Sequence, residues 1–345
     1  MLVVKLDAIG DYILFRNYLE LLKRSEKYSS YDLELVGNSK WKDLAMEYDS
    51  QFVSKFFFID PEKLYEKPLT IINFARRLFT RKYEVVIQST YSRTLMGNAV
   101  CGFAAGKESV AYNSFGELDP KYKRKTDKFY SSLINLPVSL VHETELNHYF
   151  FERLLGSELS FAKPTVPVNK KKREGILIFP GSSTAKKNWE KDKFIEIINR
   201  ILLNTNEQII IGGGVLEVPI AEDIIRSNIS PRIKNKAGAT SLKDFVDLIA
   251  SSCFVITNDT NAVHIAIAAD TPVVAIVGGG HFKRFLPYPE YFASKPICIF
   301  SEMPCYNCNW SCDYITSDSE PFPCISNVGV EEVWSSVIKY CNAMH

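Results

Sequence analysis

The sequence has no long uninterrupted apolar run. A helix that crosses a bilayer needs roughly 20 consecutive apolar residues, and no stretch approaches that length. The first residues also lack the pattern of a secretory leader, because Lys5, Asp7 and Asp11 interrupt the apolar positions and no cleavage-site pattern follows. We therefore expect a chain that stays in the cytoplasm and whose membrane contact, where there is any, is peripheral.

An excess of charge of either sign is missing too. The 41 Lys and Arg residues balance 40 Asp and Glu residues, and the net charge of +1 gives no global reason to expect a nucleic-acid partner. One local exception is the segment 121–128, where five basic side chains stand against Asp127 alone. We interpret it as a solvated loop. The alternative is a patch that meets an anionic acceptor or a membrane surface.

A dinucleotide-binding fingerprint is absent. Gly212, Gly213 and Gly214 follow a predicted strand, but Glu217 stands where the pattern G-x-G-x-x-G requires its last glycine. This argues against an NAD-dependent enzyme.

The chain does contain a regular alternation of short apolar runs and helical patterns. The predicted strands are residues 2–6, 33–37, 55–59, 83–88, 175–179, 208–211, 253–257 and 272–277. This alternation predicts an α/β protein with parallel sheets covered by helices on both faces. With 345 residues, the chain has room for two domains.

We place the domains at residues 1–165 and 166–327. The stretch 161–175, with two prolines and the basic run 170–173, has the composition of a linker. Residues 328–345 are predicted to form a terminal helix that could pack back on the first domain. Between residues 91 and 161 the pattern is weak.

Two segments of the second domain have the features of an anion site. Asp259 and Thr260 lie between a predicted strand and a predicted helix, and unpaired N–H groups at a helix start bind anions. The loop after the strand 175–179 carries Ser182 and Ser183 and then Lys187, which supplies a countercharge. Parallel strands bring both segments to one edge of the sheet. We infer a diphosphate site. The alternative is a helix cap and an ordinary surface lysine.

The first strand ends in a turn, Gly10 followed by Asp11, that opens the first helix. This puts a carboxylate at the carboxyl edge of the first sheet. Asp11 is either a functional group there or a simple helix cap.

Four of the eight cysteines are crowded into one irregular segment near the end of the second domain. Cys305, Cys308, Cys312 and Cys324 have a spacing seen in zinc and iron sites. In a cytosolic chain such a cluster indicates metal before disulfides. A structural zinc or iron ion, free thiols and disulfides remain open, and we expect no catalytic role.

Several of these segments together resemble glycosyltransferase family 9, the family of the lipopolysaccharide heptosyltransferases. The matching segments are 5–11, 180–183, 187–189, 259–260, 264–266, 271–273 and 285–288. The resemblance implies the GT-B fold, in which two Rossmann-like domains face each other across a cleft. Nothing between about residues 91 and 161 can be matched.

The resemblance also implies an inverting sugar transfer with Asp11 as the general base. In that scheme the acceptor hydroxyl loses its proton to Asp11 as it attacks the anomeric carbon, and catalysis requires no cofactor. The residues implied in nucleotide-sugar binding are Ser182, Ser183, Lys187, Glu217, Thr240, Asp259, Thr260, Asn261 and His264. Among them Glu217 would bind the ribose, Thr240 would lie near the base, and His264 would donate to a phosphate or pack.

The partners implied by the resemblance are ADP-heptose as donor and lipopolysaccharide core or a related surface glycan as acceptor, at the inner membrane. Relatives that modify proteins hold iron in a comparable cysteine cluster. Two departures leave the sugar open: Asn261 stands where the family often has glycine, and a Gly-Gly-Gly-His turn ends at His281. The alternatives are a GT-B nucleotide-sugar epimerase and a nucleotide-sugar-binding protein without turnover, the latter disfavoured by the retention of Asp11.

Overall fold

The computed structural model of the chain describes residues 1–66, 68–113, 119–137, 139–161, 163–168, 172–314, 317 and 320–343. The chain divides into two units, Met1–Pro164 and Thr165–His345, one residue from the predicted boundary. Positions 170 and 171 of the predicted basic run, and 344 and 345 of the predicted terminal helix, lie outside the described residues. Within the described ranges, no helix combines the length and apolar character that a bilayer crossing demands.

The first unit is a six-stranded parallel sheet with seven α-helices among its described residues. Its strands are β1 (Leu2–Lys5), β2 (Glu34–Asn38), β3 (Lys55–Ile59), β4 (Val85–Gln88), β5 (Glu108–Tyr112) and β6 (Ser132–Ile134). Its helices are α1 (Ile9–Phe15), α2 (Asn17–Arg24), α3 (Lys42–Tyr48), α4 (Pro68–Phe79), α5 (Leu95–Ala104), α6 (Pro120–Thr126) and α7 (Glu143–Leu155). The strand order is β3-β2-β1-β4-β5-β6.

The second unit repeats this plan. Its strands are β7 (Ile176–Phe179), β8 (Ile209–Ile211), β9 (Ile233–Asn235), β10 (Phe254–Asn258), β11 (Val273–Ile276) and β12 (Ile297–Ile299). Its helices are α8 (Lys191–Asn204), α9 (Val218–Ser227), α10 (Leu242–Ser251), α11 (Asn261–Ala268), α12 (Pro323–Ser326) and α13 (Val330–Ala343). The strand order β12-β11-β10-β7-β8-β9 is the same as that of the first unit when each unit is numbered from its own first strand.

This topology predicts where a ligand would bind in each unit. The strand order reverses between β1 and β4 in the first unit and between β7 and β10 in the second. At such a switch point the connections leave in opposite directions and open a crevice outside the carboxyl ends of the two strands. All strand pairs are parallel, so every carboxyl end lies on the same edge of its sheet.

The core of the second unit follows from the apolar periodicity of its sequence. In α8 the buried residues Phe194, Ile197, Ile198 and Ile201 recur at helical spacing and cover the sheet. The strand β7 is buried at all four of its residues, as a parallel strand between two helical layers requires. These features confirm the predicted α/β class.

The segment 121–128 is helical rather than a loop. Asp119 caps α6 by accepting a hydrogen bond from the Lys121 backbone at 2.7 Å, and Pro120 stands in its first turn. Lys123 is buried, and its Nζ donates to Asp127 Oδ2 at 2.6 Å, while Arg93 pairs with the same carboxylate. The local sequence predicted a solvated loop, because a run of basic residues is usually exposed. It could not show that Asp127 pairs with both Lys123 and Arg93.

The terminal helix α13 belongs to the second unit. Its residues Val333, Val337 and Cys341 lie in the core of that unit, and the helix packs against α8. On its surface Glu331 pairs with Arg200 of α8. The apolar face of α13 therefore covers the second sheet.

Candidate functional site

The switch point of the second unit is held together by one buried amide. Asn258, the last residue of β10, accepts a hydrogen bond at Oδ1 from the Trp189 backbone N–H at 2.9 Å. Its Nδ2 donates to the carbonyl oxygens of Pro180 at 2.7 Å and Gly181 at 3.3 Å. The loop after β7 is thereby fixed to the end of β10, which brings the two predicted anion-binding segments to one edge. The sequence pattern did not mark Asn258, although a polar residue closing an otherwise apolar strand was a visible signal.

The start of α11 is capped by Thr260. Its Oγ1 accepts from the Ala262 N–H at 3.2 Å and lies 3.2 Å from the Thr257 hydroxyl. The capping alternative therefore holds for Thr260, and it uses one of the N–H groups at the helix start. The next residue is Asn261. Its side-chain oxygen Oδ1 is buried and has no hydrogen-bond partner within the described part of the chain.

A second orphaned amide oxygen lies in the adjoining loop. Asn188 Oδ1 is also buried and has no partner among the described residues. Asn188 directly precedes Trp189, and Asn261 lies three residues after Asn258, so both are close in sequence to the hydrogen bond between Trp189 and Asn258. A buried acceptor that makes no hydrogen bond costs free energy, so two of them at one sheet edge favour a ligand that brings hydroxyl donors.

Lys187 and Asp259 form the charged part of this edge. Lys187 ends a short 3-10 turn, and Asp259 follows β10 directly. Burial lowers the pKa of Lys187, and the charge of Asp259 opposes that shift. Burial raises the pKa of Asp259 to about 6, with the charge of Lys187 acting against it. A partly desolvated cation of this kind is available to an incoming anion.

The serine loop contributes unequally. The Ser182 hydroxyl donates to the Thr184 carbonyl at 2.7 Å and so stabilises the turn itself. Ser183 is exposed. Of the two predicted serines, Ser183 is thus the more exposed.

Glu217 joins the site through the glycine turns. A Cβ atom at Gly181 or Gly213 would overlap the Glu217 side chain, so glycine at both positions lets that side chain lie across the ends of β7 and β8. Its Oε2 accepts from the Gly214 N–H at 2.6 Å. Thr240 lies after β9 and is partly buried, just before the cap of α10.

His264 lies in an aromatic pocket. It is 4% exposed, its Nδ1 lies 3.0 Å from the Tyr288 hydroxyl, and its ring faces Tyr288 and Phe285. Nδ1 is therefore hydrogen-bonded to the Tyr288 hydroxyl and the ring packs against aromatic side chains, which favours the packing alternative for this residue. Donation to a phosphate remains a prediction for the other ring nitrogen only.

The cysteine segment reaches the same edge through Trp310. The Lys187 Nζ lies 4.0 Å from the centroid of the Trp310 indole ring. The indole covers Gly278 and Gly280, where a Cβ atom would overlap it, and its Nε1 donates to His281 Nδ1 at 3.3 Å. The sequence did not predict a contact between this segment and Lys187, because the two are more than a hundred residues apart in the chain.

A second contact ties the far end of the segment to the same turn. The Phe322 N–H donates to the Lys186 carbonyl at 2.8 Å, and Phe322 packs against Trp310. The cysteine segment therefore supports the lysine turn from one side.

The four clustered cysteines are free thiols. Burial and the neighbouring thiols raise the pKa of Cys324, whose Sγ accepts from the Gly279 N–H at 3.3 Å. Thiolates suit zinc or iron by chemical type, but among the described residues no three Cys, His, Asp or Glu side chains are grouped as metal ligands. A metal ion at this segment therefore stays a prediction.

The switch point of the first unit is a cluster of charges around Lys5. This lysine ends β1 and is fully buried, with Nζ 2.9 Å from Asp7 Oδ2 and 4.0 Å from Glu143 Oε1. Burial acts to lower the pKa of Lys5, but Asp7, Glu143 and Asp11 together raise it. The Thr90 hydroxyl, beyond the end of β4, donates to Asp7 Oδ2 at 2.6 Å.

Asp11 lies in the first turn of α1, partly buried, and it is not the N-cap. That position belongs to Ala8, whose side chain makes no capping hydrogen bond. Asp11 therefore does not cap α1. Asp11 belongs instead to the charge cluster at the carboxyl edge of the first sheet. Glu143 is 2% exposed and faces the buried ammonium group of Lys5, a contact that the apolar pattern of β1 does not reveal.

The raised pKa of Asp259 predicts a change in stability. The ordinary value is 3.8 and the folded value is about 6, so the folded chain binds this proton more tightly, and the ionised carboxylate destabilises the fold at neutral pH. Asp259→Asn should raise the free energy of unfolding by about 1–2 kcal/mol at about pH 7.5. The gain should shrink as the pH falls through 6 and vanish near 4, as measured by urea denaturation.

Asp247→Asn is the matched control, because Asp247 lies on the exposed face of α10 in an ion pair with Lys243. Its effect should be small at both pH values. An Asp259→Asn protein that is less stable than the parent at neutral pH would contradict the argument.

Comparison with known proteins places this geometry in a family. The model of glycosyltransferase family 9 (heptosyltransferase) matches residues 71–310. The lipooligosaccharide heptosyltransferase 2 of Campylobacter jejuni is 28% identical over 160 residues, which are 46% of this chain and 50% of that protein. The chain thus matches about half the length of this curated relative.

Solved structures match over nearly the whole chain. A family 9 glycosyl transferase from Veillonella parvula superimposes with a TM-score of 0.74 at 17% identity, covering 99% of this chain and 97% of that one. The E. coli heptosyltransferase WaaC with ADP-2-deoxy-2-fluoro heptose gives a TM-score of 0.70 at 14% identity, covering 98% of both chains. Because the family model spans more than half of the residues and the fold is shared with these structures, the chain belongs to glycosyltransferase family 9 and has the GT-B fold.

Proposed function

We propose that this protein transfers a sugar from a nucleoside-diphosphate donor to an acceptor hydroxyl with inversion at the anomeric carbon. The observation that carries the proposal is the edge of the second sheet, where Lys187 and the start of α11 lie together. Family membership supports it. The donor is ADP-heptose, and the acceptor is lipopolysaccharide core or a related surface glycan.

The donor half of the reaction takes place at the second switch point. Lys187 pairs with the diphosphate, and the N–H groups at the start of α11, with the helix dipole, stabilise the charge that develops as the nucleoside diphosphate leaves. The orphaned oxygens of Asn188 and Asn261 accept hydrogen bonds from donor hydroxyl groups. Glu217, at the end of β8, binds the ribose.

The acceptor half takes place at the first switch point. Asp11 accepts the proton of the acceptor hydroxyl as the oxygen attacks the anomeric carbon. Asp11 lies in a cluster in which three carboxylates face the buried Lys5 ammonium group, so their negative charge is balanced locally. An ionised Asp11 is the form that a general base requires.

The choice of ADP-heptose rests on the relatives. The matched E. coli enzyme is described with an ADP-heptose analogue, and the curated relative is a heptosyltransferase. Thermal-shift screening against ADP-, UDP- and GDP-sugars tests the choice, because a ligand that binds only the folded chain raises its melting temperature. A shift with a UDP-sugar and none with ADP-heptose would overturn the donor and leave the fold unaffected.

The reaction type is tested by nucleotide release. We expect ADP to appear from ADP-heptose only when a lipopolysaccharide-core acceptor is added. Release without any acceptor would identify the epimerase alternative. Binding without release, unchanged by Asp11→Asn, would identify a protein that binds nucleotide sugars without turnover.

Trp310 should position Lys187 for the diphosphate. Trp310→Leu removes the aromatic face under the ammonium group, and we expect ADP affinity to fall about 3- to 30-fold by calorimetry. Trp310→Phe should restore most of the affinity. Tyr306→Leu is the control, because Tyr306 packs on Gly279 of the same turn and its ring contacts are with Phe282. Equal losses in the Trp310→Leu and Tyr306→Leu variants would show a structural effect on the loop.

We retain a structural zinc or iron ion at the four clustered cysteines as a separate proposal. It would require Cys305, Cys308, Cys312 and Cys324 to converge more closely than the described side chains do. Elemental analysis of the purified protein supports the proposal if about one equivalent of zinc or iron is present and is lost in Cys308→Ser. A metal-free preparation with full stability refutes it.

We also propose that the protein works in the cytoplasm and meets the inner membrane from that side, since a lipid-linked acceptor is presented at the bilayer surface.

A further inference from the structure

Helix α4 exposes an apolar stripe to solvent. Leu69, Ile72 and Phe79 are 77%, 61% and 65% exposed. Their spacing of three and seven residues puts them on one side of the helix, with Arg76 between them. The opposite side is already buried. The helix therefore has two apolar faces, of which the core covers only one.

The buried side shows why the helix forms and stays in place. Phe74 and Leu78 lie in the core of the first unit, and Phe74 packs edge-on against Phe57 of β3. Neither residue contributes to the exposed stripe. The exposed apolar residues are thus not required to attach α4 to its sheet, and a folding role does not account for them.

The charged residues of α4 and of the turn that follows it have one sign only. Residues 68–83 contain Arg76, Arg77, Arg81 and Lys82 and no acidic residue. The Arg77 guanidinium lies over the Phe57 ring, and Arg81 pairs with Glu34. Arg76, within the stripe, and Lys82, after the helix, are exposed. An otherwise neutral chain thus carries a local cationic surface around three exposed apolar side chains.

We propose that this face of α4 docks flat on an anionic lipid bilayer. Leu69, Ile72 and Phe79 enter the boundary between headgroups and acyl chains, which is how an amphipathic helix lies in a membrane interface. The long stems of the arginines follow the apolar surface while their charged ends reach the lipid phosphates. The docking surface follows from α4 alone. Its use in presenting a lipid-linked acceptor rests on the proposed function.

The charge pattern favours a bilayer over a second copy of this chain. In a symmetric dimer the same patch meets itself, so the cations of one α4 would face the cations of the other. An anionic bilayer neutralises all of them. The basic helix α6 differs, because its Lys123 is buried and paired with Asp127.

Cosedimentation of the full chain with vesicles tests the docking surface. We expect binding to phosphatidylcholine vesicles that contain phosphatidylglycerol, weak binding to phosphatidylcholine alone, and loss of binding at high salt. The double variant Ile72→Gln with Phe79→Gln, and separately Arg76→Glu, should each weaken binding by at least about tenfold. These positions are exposed, so the melting temperature should stay that of the parent chain.

Two control variants distinguish docking through α4 from non-specific adsorption to vesicles. Leu203→Gln with Ile229→Gln removes exposed apolar side chains from the second unit, and Lys121→Glu with Lys125→Glu reverses exposed charges on α6. Both should bind vesicles like the parent chain. The proposal is overturned if the parent chain does not bind anionic vesicles. It is also overturned if the control variants lose as much binding as the α4 variants. Loss of a dimer in the α4 variants with unchanged vesicle binding would assign the face to contact between copies and overturn it too.

Calorimetry with ADP shows whether a failure concerns the docking surface or the proposed function. The α4 variants should bind ADP like the parent chain. A chain that docks on vesicles but binds no nucleotide overturns the proposed function alone. A chain that binds ADP but no vesicles overturns only the docking surface.

Discussion

Replacing Asp11 by Asn should lower the rate of sugar transfer about 10²- to 10⁴-fold and leave ADP affinity nearly unchanged. The amide cannot accept the acceptor proton, and Asp11 lies in the first unit whereas the diphosphate is assigned to the second. The measurement is the initial rate of ADP release with donor and acceptor both present, together with calorimetry for ADP.

The control for Asp11 must separate base catalysis from the stabilising effect of a carboxylate near a helix start. Asp43 provides it, because it is the acidic residue in the first turn of α3. Asp43→Asn should have a small effect on melting temperature and none on activity, whereas Asp11→Asn should lose activity while the chain stays folded. Retention of full turnover by Asp11→Asn would remove Asp11 from the mechanism.

Replacing Lys187 by Met should weaken ADP binding about 10- to 100-fold, since a partly desolvated cation that pairs with a phosphate contributes more than an exposed one. The rate should fall further than the affinity, because the leaving group gains negative charge in the transition state. Lys186→Met is the matched control from the same turn, and its effect should be small. Equal losses at the two lysines would argue for general electrostatic attraction.

The lowered pKa of Lys187 adds a pH test. The ammonium form binds the diphosphate, and that form is lost as the pH rises through a pKa below the ordinary lysine value of 10.5. ADP affinity of the parent protein should therefore fall on the alkaline side at a lower pH than an unperturbed lysine would give. The Lys187→Met protein should show no such decline.

The fold class could be predicted from the sequence because parallel strands and their covering helices leave local periodic signals. Each buried strand is a short apolar run, and α8 repeats its apolar residues at helical spacing. The segment 91–161 was the exception. There α5 is apolar with little periodicity and α6 is mostly charged, so neither shows the usual amphipathic pattern, although both are helices.

The candidate site divides in the same way. Motif order along the chain predicted that Lys187 and Thr260 share a sheet edge, since parallel topology puts strand ends together. The sequence could not predict that Asn258 forms hydrogen bonds to the loop after β7, or that the Trp310 ring contacts Lys187. It also could not predict that three carboxylates surround Lys5. Each of these contacts joins residues that are distant in the chain.

By itself the sequence determined the α/β class and the family, because periodicity and short motifs are properties of neighbouring residues. Only the tertiary structure decided that α13 completes the second unit and that α4 keeps an apolar face in solvent. Whether an apolar side chain is covered depends on which distant element packs against it, and no local pattern records that choice.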